Sequence, residues 1–358
     1  MQQKEADKSG GLPPQYEDMS FAQASRQARA TMPWWDPRCW RKRIWAVVIG
    51  GLIIVLAIVI AVAVALSGHG AYPDYKPVAY ALRDTYEGET FFDQFNYFTG
   101  YDPGLTVGPI CVAAKGFVHY VPQPQAQQLT SHQNLTYASS NTAVVKVDTS
   151  VGPGSKPDAS TGRFAVRLES KKTYGGGLFI FDVKHTPHAC GAWPALWLTD
   201  PSHWPDHGEI DVMESINNGA GGNQMTLHTA AGCSMAVSRK MSGQALHHDC
   251  NQASNGNAGC GVAGARNSFG PALNAAGGSV MAVEWREAGI RIWQFARGAV
   301  PSDVASKRPN PAGWGTATAD FPNTRCGIGS LFRNNSIVIN IDLCGDMVYG
   351  TWDHSSCE

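Results

Sequence analysis

Glu209, Asp211 and Glu214 stand close together at the end of the segment Trp204-Pro-Asp-His-Gly-Glu-Ile-Asp-Val-Met-Glu214. Glu209 and Asp211 are two residues apart, so in a β-strand their side chains point to the same face. Glu214 would point to the opposite face of a regular strand. One extra residue, a β-bulge near Val212–Met213, brings it back to the same side. The spacing therefore predicts a bulged strand with three carboxylates along one wall.

Closely spaced carboxylates are suited to the hydrolysis of glycosidic bonds. Like charges at short range resist joint ionisation, so such a group retains a proton. Retaining glycosidases hold two carboxyl groups about 5–5.5 Å apart, one as nucleophile and the other as acid/base. We assign Glu209 as the nucleophile and Glu214 as the acid/base, whose pKa the ionised nucleophile raises. Asp211 lies between them and is expected to orient Glu209 by a hydrogen bond.

A solvated acidic strand edge is the alternative interpretation of this segment. Ile210, Val212 and Met213 are apolar, however, and tryptophans flank the segment. Apolar neighbours favour a half-buried position, which is the environment of a cleft wall.

The elements that must position these residues are short β-strands. Only 16% of the residues are charged while 39 are Gly and 21 are Pro, which argues against a disordered chain and a helical bundle. Clusters of Gly, Pro, Asn and Ser separate short strand-like runs, and many short antiparallel strands indicate an all-β sandwich. The predicted strands are Ala165–Glu169, Leu178–Val183, Ala195–Leu198, Ile210–Met213, Gln224–His228, Val280–Trp285, Ile290–Phe295 and Ile337–Leu343.

A continuous apolar run without charges occupies residues 44–66. At about 1.5 Å per residue it is long enough to cross a hydrocarbon core of roughly 30 Å. A cleaved signal peptide has a shorter apolar region near the N-terminus, so a retained anchor is the better interpretation. The basic residues before the run predict a single-pass type II membrane protein with an extracellular or lumenal catalytic domain. They are Arg38, Arg41, Lys42 and Arg43.

The predicted organisation has four parts. Residues 1–43 form a disordered cytoplasmic tail, 44–66 a transmembrane signal-anchor helix, 67–77 a linker and 78–358 the β-sandwich domain. The net charge of −1 gives no electrostatic basis for nucleic-acid binding.

Nine cysteines occur in the chain, eight of them after the apolar run. Their scattered positions predict disulfides in an oxidising compartment, with the connectivity left open. The sequons Asn134-Leu-Thr136 and Asn334-Asn-Ser336 fit a glycoprotein outside the cytoplasm. No metal site and no cofactor are predicted.

An ordered series of motifs resembles glycoside hydrolase family 16, specifically its fungal laminarinase-like endo-β-1,3(4)-glucanases. The resemblance covers about residues 78–350. It implies a β-jelly roll, a site on the concave face, retention of configuration and β-glucan of the cell wall as substrate. The motifs are Ser170-Lys-Lys-Thr-Tyr-Gly-Gly-Gly-Leu-Phe, Cys190-Gly-Ala-Trp-Pro-Ala-Leu-Trp197, Gly208-Glu-Ile-Asp-Val-Met-Glu214, Asn223-Gln-Met-Thr-Leu-His-Thr229, Gly270-Pro-Ala-Leu-Asn-Ala-Ala-Gly-Gly, Val283-Glu-Trp285 and Leu343-Cys-Gly-Asp346.

The resemblance also implies roles for residues beyond the three carboxylates. Trp197 and Trp204 would flank the sugar subsites, although core packing is the alternative for Trp197. His228 resembles the family histidine near the acid/base, with a structural role as its alternative. Trp285 is expected in the core.

Two departures from the family pattern stand out. Gly104–Lys115 looks inserted and carries Cys111, without which an odd number of cysteines follows the apolar run. The chain ends at Cys357-Glu358, before the final strand expected of the fold, and a sandwich without that strand would expose an edge.

The sequence is compatible with three functions. The first is an endo-hydrolase of β-1,3- or mixed β-1,3(4)-glucans. The second is a cell-wall β-glucan transglycosylase, in which a sugar acceptor replaces water. The third is a non-catalytic glucan-binding module, which would have no need of an acid/base pair.

Overall fold

The computed structural model describes residues 41–67, 70–100, 116–128, 134–149, 162–352, 355 and 357. The chain divides into two compact units, Met1–Gly68 and His69–Glu358. The predicted tail up to residue 40 and the predicted insertion Gly104–Lys115 lie outside the described residues.

Helix α1, Lys42–Ser67, is the secondary structure of the first unit within the described residues. Its stretch Lys42–Val62 has a mean hydropathy of 3.1 and is long and apolar enough to cross a membrane. None of that stretch is buried, which suits contact with lipid more than contact with water. The helix covers the apolar run that the sequence assigns to an anchor.

The second unit is built from short strands. Seven of the eight predicted runs fall within single strands, and Ala165–Glu169 spans the junction of two. The strands are β1 Phe95–Phe98, β2 Val118–Tyr120, β3 Thr136–Ala138, β4 Ala143–Val145, β5 Arg163–Ala165, β6 Arg167–Tyr174, β7 Gly177–Val183, β8 Ala192–Thr199, β9 Glu209–Glu214, β10 Gln224–His228, β11 Gln244–Ala245, β12 Val262–Ala263, β13 Ser279–Arg286, β14 Gly289–Ala296, β15 Ala319–Pro322 and β16 Asn335–Leu343.

These strands form a sandwich. The larger sheet has eight strands in the order β1-β6-β16-β8-β9-β10-β12-β11, and the smaller has four in the order β15-β14-β13-β7. All pairs within these two sheets are antiparallel. β2 pairs with β5 in parallel and β3 with β4 antiparallel, as two separate ribbons.

Helices in the second unit are short, because Gly, Pro and Asn interrupt the sequence before longer ones can form. The described α-helices are α2 Gln123–Gln128, α3 Gly270–Ala275, α4 Ser302–Ala305, α5 Ile328–Leu331 and α6 Asp346–Gly350. Single 3-10 turns occur at Phe91–Gln94, Asn255–Asn257, Arg297–Ala299, Pro311–Gly313 and Asn323–Arg325.

The main hydrophobic core fills the space between the two sheets. Leu198 and Ile210 of the larger sheet and Ile292 of the smaller belong to one buried cluster. Trp285 is part of it and is 2% exposed, which confirms its predicted place in the core. Because side chains alternate along a strand, the residues on either side of Ile210 face away from this core.

The second unit contains disulfides, as the cysteine pattern predicts. The described pairs are Cys190–Cys357, Cys233–Cys326 and Cys250–Cys260. Cys344 is disulfide-bonded as well. Cys111 lies outside the described residues.

Residues 70–87 have no regular helix or strand, and Tyr75 and Tyr80 within them contact the smaller sheet. The Tyr80 hydroxyl donates to Oε1 of Glu284 on β13 at 2.8 Å. The Tyr75 hydroxyl donates to Oδ1 of Asp320 on β15 at 3.3 Å. The guanidinium of Arg291 on β14 lies 4.1 Å from the centre of the Tyr75 ring. Part of the predicted linker 67–77 thus contacts the sandwich.

Candidate active site

Strand β9 contains the predicted bulge. On its β10 side, the register shifts between the pairs Thr226–Asp211 and Gln224–Glu214, so the two residues Val212 and Met213 of β9 lie opposite the single residue Met225 of β10. The pairing with β8 shifts at the same place. The extra residue of β9 therefore lies at Val212–Met213, and it returns the Glu214 side chain to the face shared by Glu209 and Asp211.

Asn223 holds the bulge in place. Its Oδ1 accepts the Glu214 backbone N–H at 2.9 Å, and its Nδ2 donates to the Val212 carbonyl at 3.1 Å. Asn223 is 1% exposed, so water does not offer these groups an alternative partner. A bulge disrupts the ladder of hydrogen bonds between strands and leaves some backbone groups without a partner. The Asn223 side chain supplies partners for two of them, the Glu214 N–H and the Val212 carbonyl.

Replacing Asn223 by alanine is expected to destabilise the domain and misplace Glu214. Leaving two buried backbone groups unpaired costs about 2–6 kcal/mol, because each contributes roughly 1–3 kcal/mol. A misplacement of about 1 Å reduces turnover about 100-fold. Chemical denaturation and kcat at a temperature where the variant is folded measure the two effects.

Asn274→Ala is the matched control for this prediction. Asn274 bridges the backbone N–H and carbonyl of Thr186 at 2.8 and 2.9 Å, far along the chain from the carboxylates. We expect Asn274→Ala to lower stability but to keep kcat. Equal kcat for both variants would contradict the role given to Asn223.

The surroundings of Glu214 favour a carboxyl group that keeps its proton. Burial raises its pKa, an effect that the hydrogen bond from Trp193 and the charge of His228 oppose and the charge of Glu209 reinforces. The indole Nε1–H of Trp193 donates to Oε1 of Glu214 at 2.8 Å. This hydrogen bond fixes the position of Oε1 of Glu214 and does not involve Oε2.

His228 lies between the carboxylates. Its Nε2 is 3.3 Å from Oδ2 of Asp211 and 3.9 Å from Oε1 of Glu209. Burial lowers the pKa of the imidazole, but the contact with Asp211 and the three carboxylate charges outweigh it and raise the pKa to about 10. Burial, followed by the charge of Glu209, raises the pKa of Asp211 well above its ordinary value. The cluster therefore holds more protons at neutral pH than the same side chains would in water.

The predicted hydrogen bond from Asp211 to Glu209 is not among the hydrogen bonds of the described residues. Both carboxylates lie against Nε2 of His228 instead. The other ring nitrogen, Nδ1, lies 3.0 Å from Oδ1 of Asn257. With Asn257 accepting at Nδ1, the imidazole presents an N–H to the carboxylates at Nε2 when it is protonated.

The two tryptophans predicted at subsites occupy different settings. Trp197 pairs in register with Asp211 and shares its face of the sheet. Its Nε1–H donates to Oδ1 of Asn340 at 2.8 Å, and the Arg167 guanidinium lies 5.1 Å from its ring centre. Trp197 thus lies on the carboxylate face and outside the buried core. Trp204 lies in the loop between β8 and β9 and is 40% exposed.

A comparison with protein families decides what kind of domain this is. Residues 95–358 match the model described as the XgeA-like catalytic domain of glycoside hydrolase family 16. The chain belongs to glycoside hydrolase family 16. The matched region contains every strand of both sheets and all four residues of the carboxylate–histidine cluster.

Relatives of this family-16 chain come from fungi. It is 39% identical over 279 residues to a probable glycosidase of Schizosaccharomyces pombe, covering 77% of this chain and 61% of the relative. It is 37% identical over 290 residues to an endo-1,3(4)-beta-glucanase of Arthroderma benhamiae, and the match covers 79% of this chain and 59% of the relative. The chain thus spans about three fifths of the length of these curated relatives.

Solved structures of the family share the fold. Laminarinase 16A of Phanerochaete chrysosporium, with β-glucans in its donor and acceptor sites, is 40% identical with a TM-score of 0.68, over 78% of this chain and 91% of that one. An elongating family-16 β-1,3-glucosyltransferase is 34% identical with a TM-score of 0.67, and the match covers 78% of this chain and 88% of that one. The family-16 jelly roll predicted from the sequence is confirmed.

Three residues that contact this cluster were not predicted individually from the sequence. Trp193, Asn223 and Asn257 bind Glu214, the bulge and His228 respectively. Trp193 and Asn223 lie within motifs that resemble the family, which indicates their importance but not their contacts. Asn257 has no such signal, because only the folded loop brings it to His228.

Proposed function

We propose that this chain is a retaining endo-hydrolase of β-1,3- or mixed β-1,3(4)-glucans. The observation that carries the proposal is the bulge at Val212–Met213, which turns Glu209 and Glu214 to one face beside a buried imidazole. The name of the Arthroderma benhamiae relative supports the substrate class. Trp197 and Trp204 are proposed to contact the apolar faces of glucose units, an interaction to which aromatic rings are suited.

In the proposed first step, a carboxylate oxygen of Glu209 attacks the anomeric carbon and the glycosidic C–O bond breaks. Glu214 gives its proton to the leaving oxygen, which departs as a hydroxyl group. The raised pKa of Glu214 supports this role, because the carboxyl group must be protonated before the step.

In the second step, the glycosyl ester on Glu209 is hydrolysed. Esterification removes the negative charge of Glu209, so Glu214 ionises more readily and accepts a proton from water as the water attacks the anomeric carbon. Glu209 leaves as a carboxylate. Two displacements at one carbon restore its original configuration.

Asn257 is proposed as a positioning residue that acts through His228. Asn257→Ala removes the acceptor at Nδ1, so the protonated imidazole is less favoured and the pKa of His228 falls. We expect kcat/KM to fall about tenfold, the equivalent of one hydrogen bond to a charged group. NMR titration of His228 and the pH profile of kcat/KM measure the effect.

Two further variants control this prediction. Asn255→Ala carries the same backbone strain, because Asn255 and Asn257 both have positive φ, 51° and 65°. It should leave the His228 titration unchanged. Asn257→Asp keeps an acceptor and should retain most activity. A lowered pKa of His228 in Asn255→Ala, or none in Asn257→Ala, would refute the proposed role.

A transglycosylase is the second candidate, because a structure of similar fold is an elongating β-1,3-glucosyltransferase. The two functions differ in whether water or a sugar hydroxyl takes the second step. Incubating the full-length chain in detergent with laminarin, lichenan and labelled oligosaccharide acceptors distinguishes them. New reducing ends and shorter chains support the hydrolase, and longer labelled products support the transferase. Binding without turnover would reject both and leave a glucan-binding module.

We also propose that α1 is a type II anchor with the family-16 domain outside the cytoplasm. The basic residues before the helix and the exposed side chains of Asn134 and Asn334 support this orientation. In sealed microsomes, we expect the domain to resist added protease and to lose apparent mass on deglycosylation. Asn134→Gln with Asn334→Gln should abolish the mass change. Protease digestion of an unglycosylated domain would contradict the orientation.

A further inference from the structure

We propose that Asp200, His203 and His207 form a binding site for a divalent transition-metal ion such as Zn²⁺. The three residues lie at the end of β8 and in the loop that leads to β9. This loop also carries Trp204. The site shares no residue with the cluster of Glu209, Asp211 and His228, although His207 precedes Glu209 by two positions.

Both imidazoles point one nitrogen at the same carboxylate oxygen. Nδ1 of His203 lies 3.0 Å and Nδ1 of His207 lies 2.6 Å from Oδ2 of Asp200. The two rings stack, with centroids 4.5 Å apart and planes 19° from parallel. One ligand atom from each of the three residues lies within 4.8 Å of the others.

The loop holds these groups by its own hydrogen bonds. The backbone N–H of Ser202 donates to Oδ1 of Asp200 at 3.1 Å, which turns Oδ2 towards the histidines. The His203 N–H donates to the Asp200 carbonyl at 3.1 Å, and the His207 N–H to the His203 carbonyl at 3.0 Å. Such contacts orient ligands before a metal arrives, and Asp200 itself is 6% exposed.

Two imidazole nitrogens and one carboxylate oxygen are a ligand set that Zn²⁺ uses with an open fourth position. Bonds of about 2.0–2.2 Å at a tetrahedral ion place the ligand atoms about 3.3–3.6 Å apart. To bind the ion, the distance from Oδ2 to Nδ1 would need to grow by about 0.3–0.6 Å for His203 and about 0.7–1.0 Å for His207. Each neutral imidazole would carry its proton on Nε2 and offer the lone pair of Nδ1. The His203 side chain is 58% exposed, so water can fill the fourth position.

Binding of the ion would fix the loop between β8 and β9, and with it the backbone that carries Trp204. The ion would then hold the loop in place of the histidine–carboxylate hydrogen bonds. The choice among metals follows ligand type: nitrogen donors favour Zn²⁺, Cu²⁺ and Ni²⁺ over Ca²⁺ and Mg²⁺.

Isothermal titration of ZnCl₂ into the full-length chain in detergent, after treatment with a chelator, tests the site. We expect one ion per chain with an affinity that His203→Ala and His207→Ala each weaken more than about tenfold. We also expect Zn²⁺ to raise the thermal midpoint of the parent chain, and not that of His203→Ala. The exposure of His203 makes a folding defect in that variant unexpected, and circular dichroism checks it.

Two controls make the result specific. His185 and His188 are a second pair of neighbouring imidazoles, both exposed, with ring centroids 6.3 Å apart. His185→Ala with His188→Ala should leave the titration unchanged. Glu209→Gln tests the carboxylate–histidine cluster, whose ligand atoms meet the same spacing. Zn²⁺ binding that survives His203→Ala and His207→Ala, or that Glu209→Gln removes, would overturn the proposal.

Discussion

Glu209→Gln is expected to lose at least about 10⁴-fold in kcat on laminarin, because the amide cannot form the glycosyl ester that divides the reaction into two steps. The substitution keeps the size of the side chain and removes its charge. The variant should therefore fold, and the substrate should still bind at the proposed subsites. Release of reducing ends measures the loss, and binding of laminarin oligosaccharides measures the retained affinity.

Asp206→Asn is the matched control for Glu209→Gln. Asp206 is an exposed acidic residue three positions before Glu209, outside the β9 strand. Its neutralisation should change kcat less than twofold. A Glu209→Gln variant with near-parent activity would remove Glu209 from the reaction.

Glu214→Ala is expected to show a defect that depends on the leaving group. On laminarin the loss of the proton donor reduces kcat about 10²–10⁴-fold. An aryl glycoside whose phenol is strongly acidic needs no protonation, so its first step should proceed and the glycosyl ester should accumulate. Azide, which needs no general base, should then release a β-glycosyl azide. A pre-steady-state burst and product analysis measure these effects.

The pH dependence of the parent chain gives a second measurement of the same residue. Burial, reinforced by Glu209, raises the pKa of Glu214, so the protonated form persists above the pH at which an exposed glutamate ionises. The alkaline limb of kcat/KM should follow that ionisation and should vanish in Glu214→Ala with the activated substrate. An unchanged limb, or an equal loss on activated and unactivated substrates, would contradict the acid/base role.

The sequence alone predicts the carboxylate wall because the information is local. Glu209, Asp211 and Glu214 lie within one strand, where alternation and one extra residue determine which face each occupies. The same holds for most strands of the sandwich, since apolar runs bounded by Gly, Pro, Asn and Ser mark them. Strands of two to four residues, such as β11 and β12, are too short to carry that signal.

The contacts that tune the wall depend on register and tertiary structure. Trp193 reaches Glu214 across 21 residues because β8 pairs with β9, and Asn257 reaches His228 across 29 because a loop folds back. The alternation of side chains along a strand does not predict either of these contacts. Residues 70–77 likewise resemble a linker in sequence, yet Tyr75 contacts Asp320 across 245 residues. Their polar partners come together only in the folded sheet.

The anomeric form of the first product tests the central claim most directly. Proton NMR can follow the full-length chain in detergent acting on laminarin before mutarotation equilibrates the new reducing ends. The proposed double displacement by Glu209 and water predicts that the β-anomer appears first and the α-anomer only later. Initial formation of the α-anomer would mean a single displacement, and would contradict the assignment of Glu209 as nucleophile and Glu214 as acid/base.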